Sequence, residues 1–177
     1  MMMKRRTLLA RTVVGLALPA AGWGVGVGVV QAAPAQRGQA VAWPEVKLLD
    51  GSRFGPAQAA GKAVVVVFWS TTCAFCRRHN QHLEKLHRAA AGHGLVVLGV
   101  ARDSDAAQVR RYAQQQGYSF PITLDHAPLA AVLASRNIIP LTTTVNRQGL
   151  LHEVIPGEMF EEDVLGLIKL ARPEKPA

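Results

Sequence analysis

Residues 63–69, "AVVVVFW", form an unbroken apolar run dominated by β-branched side chains. Such a run does not alternate between core and water. It predicts a central strand covered on both faces rather than a half-wet hairpin strand. "LVVLGV" over 95–100 repeats the pattern. Between the two, about Ala74 to Ala91 reads as a helix. Cys76, His79, Leu83, Leu86 and Ala90 share its inner face, Arg77, Glu84 and Arg88 point outward, and Gly92 and Gly94 end it. Strand, helix and strand with short connections predict a right-handed βαβ unit and a parallel pair.

The rest of the chain fits around that unit. "EVKLLDGSRFG" (45–55) carries the turn signal Asp50-Gly51 and predicts a hairpin. A helix over about 105–116 starts at Asp105, with Gln108 placed as in a capping box, and stops at Gly117. Its inner stripe is Ala106, Val109, Tyr112 and Ala113. A short strand lies in "SFPITLDH", a short helix over Pro128 to Ser135, and two strands flank the turn Asn146-Arg147-Gln148-Gly149. The last helix, about 160–171, has Glu161, Glu162 and Asp163 at its start and Lys169 and Arg172 at its end, matching the macrodipole. The expectation is one α/β domain over 45–172, after a linker at 33–44 and before a tail at 173–177.

Charge directs attention to the beginning of the chain. The net charge is +8, but Lys4, Arg5, Arg6 and Arg11 lie in the first 32 residues without an acid. Removing those four from the 20 basic residues leaves 16 against 12 acids, a weak excess with no aromatic-interleaved basic stripe for nucleic acid. A cationic start, an apolar Gly-rich stretch and the small residues of Val30-Gln31-Ala32 read as a signal peptide. Thr12 to Val30 holds 19 uncharged residues, also enough for a membrane anchor. Either way the domain is expected to be exported to the periplasmic side, where disulfides persist.

The only two cysteines stand in "TTCAFCRRH" (71–79). A c-type haem tether needs His directly after the second cysteine, and that residue is Arg77. A structural zinc site needs four ligands, and His82 drifts from the Cys73 position as the helix turns. A static staple closing so short a loop removes little chain entropy. A redox dithiol fits best. Cys73 sits at the helix start, where unpaired N–H groups and the dipole favour a thiolate, and Cys76 sits one turn in, on the core face.

"VVVVFWSTTCAFCRRH", followed by "IIPLTTTVNRQGLLHEVIPGEM", resembles the thioredoxin superfamily, and within it the exported TlpA/ResA/CcmG-type thiol–disulfide oxidoreductases. The resemblance spans roughly 43–171. It implies a thioredoxin-like fold: a central mixed sheet flanked by helices, with an N-terminal hairpin extension. It implies Cys73 as the attacking thiol, Cys76 as the resolving thiol and no cofactor. Pro140 is implied to be a cis-proline that turns the backbone of Ile139 toward the Cys73 sulfur, ready to pair with a substrate strand. Ile139, Trp69, Ala74 and Phe75 are the residues expected beside the substrate, although Trp69 is most simply core packing. The implied partners are cysteine-containing exported proteins and a membrane electron donor of the DsbD/CcdA type, with cytochrome c maturation one destination.

The chain departs from the family pattern in several places. Thr72 stands for a common Trp, Leu141 for the usual Thr after the proline, and Asn146 for the usual Asp at the turn. Val67 aligns with the buried acid of thioredoxins, and His79 with a frequent acid of the TlpA/ResA group. His79 therefore has two readings: proton handling near Cys76, or a cap on the apolar stripe above Leu83. Two other functional classes use the same cysteines. One is a copper-binding or metallochaperone module, in which His79 could also be a ligand. The other is a redoxin-type peroxidase, against which "FWSTTC" lacks the expected proline.

Overall fold

The computed structural model describes residues 34–133 and 137–172. The signal peptide or anchor expected over 1–32 and the tail at 173–177 lie outside them, as does Ser135. Among the described residues, no helix is long and apolar enough to cross a membrane.

A small antiparallel pair, β1 (Val46–Lys47) and β2 (Arg53–Phe54), forms the N-terminal hairpin. After the short helix α1 (Pro56–Ala59), β3 (Ala63–Trp69) is buried at every position. Helix α2 (Ala74–Ala89) leads to β4 (Leu95–Ala101), which pairs parallel with β3 from Ala63↔Leu95 to Trp69↔Ala101. Then come α3 (Ala106–Gln116), β5 (Ile122–Thr123), α4 (His126–Leu133), β6 (Leu141–Val145), β7 (Leu151–Pro156) and α5 (Glu161–Gly166). The five-stranded sheet has the order β5-β4-β3-β6-β7, with β6 and β7 antiparallel. This is the mixed sheet of a thioredoxin-like fold.

Strand β3 alternates between two covered faces. Val65, Val67 and Trp69 pack with Cys76, Leu83 and Leu86 of α2 and Val109 of α3. Val64, Val66 and Phe68 pack with Phe54, Leu129 and Leu133 on the other side. Covering both faces explains why the sequence shows a continuous apolar run.

Three expectations are corrected. Glu84 does not point outward: it is buried, its carboxylate accepting from Ser119 N–H (2.6 Å), Ser119 Oγ (2.6 Å) and Arg88 Nε (2.6 Å). It serves the loop after α3, an interaction that helical periodicity does not encode. Residues 34–44 are not a free linker. Val41 is buried, Gly38 and Val41 donate to Leu151 and Gly149, and Ala40 bridges Leu150, covering the start of edge strand β7. The final helix is not continuous, because α5 ends at Gly166 and Leu167–Ala171 tightens into a 3-10 turn. Glycine is a weak helix former, and such turns commonly finish helices.

Gly99 in the middle of β4 has a steric reason. A Cβ there would lie 2.7 Å from Phe120 Cε2 and 3.1 Å from Trp69 Nε1. Gly99→Ala is expected to destabilise the fold by about 1–3 kcal/mol through overpacking. A lowered urea midpoint with an unchanged m-value would register that effect.

Candidate functional site

The chain leaves β3 at Trp69 and turns through residues 70–72 before α2 begins. Cys73 is the N-cap of that 16-residue helix, and its Sγ accepts the Cys76 backbone N–H at 3.1 Å. Serine, threonine and aspartate normally fill this position because a side-chain acceptor meets an otherwise unpaired helix N–H. Here sulfur does so, at the positive end of the helix dipole, which stabilises negative charge on it. Cys73 and Cys76 are joined as a disulfide. Cys73 is partly exposed, whereas Cys76 is 0% exposed and packs within the apolar cluster of Val67, Trp69 and Leu83. An approaching polypeptide therefore has access to Cys73 alone.

A shallow cleft lined by Thr71, Thr72, Cys73, Ala74, Arg77 and Tyr112 opens beside the Cys73 sulfur. Its back wall is held by a group absent from the sequence expectations. Asp103, just beyond β4, accepts from Thr71 N–H (3.1 Å) and Thr71 Oγ1 (2.5 Å), and Gln108 Nε2 donates to the same hydroxyl (3.1 Å). The signal was available in principle: an acid just past the carboxyl end of a parallel strand, where α/β sheets gather their sites. Gln108 thus braces Thr71 instead of completing a reciprocal capping box, although its own N–H does reach Asp105. Asp103→Ala leaves the Thr71 N–H without its acceptor. It is expected to cost about 1–2 kcal/mol and to slow exchange at Cys73 severalfold. Denaturation and single-turnover kinetics on the same variant would test both effects.

The Ile139–Pro140 peptide bond is cis. Ile139 packs against both core clusters, one of which includes Cys76, and Thr142 in β6 meets His79 of α2. The Pro140 carbonyl accepts from Gly157 N–H at 2.8 Å. Ala74 and Phe75 are exposed, and Phe75 is 60% accessible with the Arg78 guanidinium over its ring. Arg78 in turn forms a bidentate pair with Glu158 (2.8 and 2.6 Å).

Burial narrows two readings that the sequence left open. Trp69 has no exposed surface; it packs edge-on to Tyr118 and beside Tyr112, so it supports the site from below and does not meet substrate. His79 is fully buried, with both ring nitrogens engaged. Its Nδ1 accepts Met159 N–H (3.2 Å), so the ring proton sits on Nε2 and is donated to Thr142 Oγ1 (2.8 Å). Burial pushes its pKa down to about 4, reinforced by His82 and opposed by Glu158. A neutral ring with both nitrogens occupied is poorly placed to carry protons for Cys76. Neither does the site gather a metal-binding set. Among the described residues no group of three His, Cys, Asp or Glu is placed to hold an ion, and His82 faces Glu161 at 3.3 Å.

Residues 38–152 match the AhpC/TSA family. Among curated proteins, the thiol–disulfide oxidoreductase ResA of Halalkalibacterium halodurans is 32% identical over 128 residues, covering 71% of this chain and 72% of that protein. Among solved structures, a thioredoxin-family thiol:disulfide interchange protein from Chlorobium tepidum superposes with a TM-score of 0.68 at 24% identity. That match covers 78% of this chain and 99% of the other. A secreted Mycobacterium tuberculosis disulfide oxidoreductase gives a TM-score of 0.62 at 18% identity, covering 71% and 93% of the two chains. At such identities the superpositions speak for the fold alone.

Proposed function

Because this chain belongs to the AhpC/TSA family, among the TlpA/ResA/CcmG-type thiol–disulfide oxidoreductases of the thioredoxin superfamily, we propose that it reduces cysteine pairs of exported proteins. One observation carries the reading: a partly exposed sulfur caps the active-site helix and is bonded to a fully buried second sulfur.

The chemistry follows from that asymmetry. In the dithiol form the Cys73 thiolate attacks one sulfur of a substrate disulfide. The substrate S–S bond breaks, its second sulfur leaves as a thiolate, and a mixed disulfide forms. Cys76 then gives up its proton and attacks the Cys73 sulfur, expelling the first substrate sulfur. The substrate gains two electrons and the chain ends with the Cys73–Cys76 disulfide. In this reading Ile139, Pro140, Ala74 and Phe75 seat an extended substrate segment, with Ile139 offering its backbone. A membrane donor of the DsbD/CcdA type returns the electrons. Residues 1–32 deliver the domain to the periplasmic side, and cytochrome c maturation is the pathway that the family resemblance favours.

The direct test offers the reduced protein three probes: insulin, copper(I) and hydrogen peroxide. Rapid reduction of insulin disulfides, with neither stoichiometric copper binding nor rapid peroxide consumption, is expected. Tight copper binding with negligible reductase activity would replace this reading with a metallochaperone. Fast peroxide turnover would replace it with a peroxidase.

A further inference from the structure

His79 joins three segments that are distant in sequence. It lies on α2 one turn after Cys76, takes Met159 N–H on one nitrogen, and gives its Nε2 proton to Thr142 Oγ1 on β6. Thr142 is two residues beyond Pro140, and Met159 is two beyond Gly157, whose N–H bonds the Pro140 carbonyl. The ring thus closes a loop of contacts: α2, β6, Pro140, Gly157, Met159 and back to α2. Outside that ring, Arg78–Glu158 pairs the same helix with the same loop and Lys85–Glu161 pairs it with the start of α5, but both are exposed. Solvated pairs of this kind fix geometry weakly. The buried imidazole is different, because releasing either partner would strand a polar group in the core.

We propose that His79 is a positioning residue, a buried crosspiece that sets the Ile139–Pro140 segment against the helix bearing Cys73 and thereby determines how well an extended polypeptide seats on that sulfur. This rests on the disulfide-exchange function proposed above. A polypeptide substrate must engage both the sulfur and the neighbouring backbone. A very small disulfide needs only the sulfur. Misplacing the segment should therefore penalise the first substrate and spare the second.

The experiment compares wild type, His79→Leu and Thr142→Val as reduced full-length proteins. It measures second-order rate constants toward insulin and toward bis(2-hydroxyethyl) disulfide across pH. Both variants should react with insulin about ten- to a hundredfold more slowly, the scale of a reacting group misplaced by about an ångström. Their rates with the small disulfide should stay within about twofold of wild type, with an unmoved pH midpoint, because the sulfur itself is untouched. Equal losses on both substrates, or a shifted pH profile, would overturn the proposal in favour of a chemical role; unchanged rates on both would overturn it outright. Should His79→Leu fail to fold, Thr142→Val decides, since it removes the same contact from the strand side. A wild-type protein that reduces neither disulfide would bring down the functional reading, and this inference with it.

Discussion

Replacing Cys73 with Ser is expected to abolish disulfide exchange, lowering the rate by roughly a thousandfold or more, because no other sulfur can reach a substrate. Cys76 is fully buried and cannot substitute for it. The complementary variant, Cys76→Ala, should behave differently. Its first step survives, since Cys73 keeps its place as helix cap and its exposure. The second step is lost, so substrates should accumulate as mixed disulfides on Cys73. Non-reducing electrophoresis and intact mass would separate the two outcomes, a silent Cys73→Ser protein against a Cys76→Ala protein carrying stoichiometric adducts. A symmetric loss, with neither variant forming adducts, would mean that the buried and exposed sulfurs do not divide the work as described.

Acidification should weaken the fold in a window set by His79. Burial, the larger cause, and the neighbouring His82 lower its pKa from the ordinary 6.5 to about 4, while Glu158 works the other way. Above pH 6.5 the ring is neutral both folded and unfolded, and contributes no pH dependence. As pH falls below 6.5 the unfolded chain takes up a proton that the folded chain refuses, so stability declines. The decline is complete once the folded ring also protonates near pH 4, and amounts to as much as about 3 kcal/mol. His87, also lowered by burial, adds in the same sense. The carboxyls of Glu84 and Glu158 sit below their ordinary range and act at lower pH. Denaturant titrations of wild type and His79→Gln between pH 7.5 and 4.5 isolate the contribution of His79. The wild type should lose clearly more stability than the variant, and parallel curves would remove His79 as its source.

Local patterns made most of the fold legible. The continuous run of β3 spelled out its double burial, and Asp105 and Gly117 bounded α3 as their chemistry requires. Cys73 and Cys76 announced a dithiol by their spacing and their place after a buried strand. Side chains that serve distant segments were not legible. Glu84 looks like an outward residue by periodicity because its partners, Ser119 and Phe120, lie 35 and 36 residues away. Asp103 looks like any loop acid until the fold brings it to Thr71. Helical spacing puts His79 on the inner face of α2, but its contacts with Thr142 and Met159 span 63 and 80 residues, and no spacing rule carries them. The sequence around Trp69 fits both a core role and a place beside the substrate; its full burial leaves the core role.

The most direct measurement is the ionisation of Cys73 in the reduced Cys76→Ala protein, followed by thiolate absorbance with pH. A sulfur that caps α2 and receives a backbone N–H should titrate clearly below an ordinary thiol, whose midpoint is about 8.5. A midpoint at or above the ordinary value would contradict the account, because the helix start would then not be activating the nucleophile.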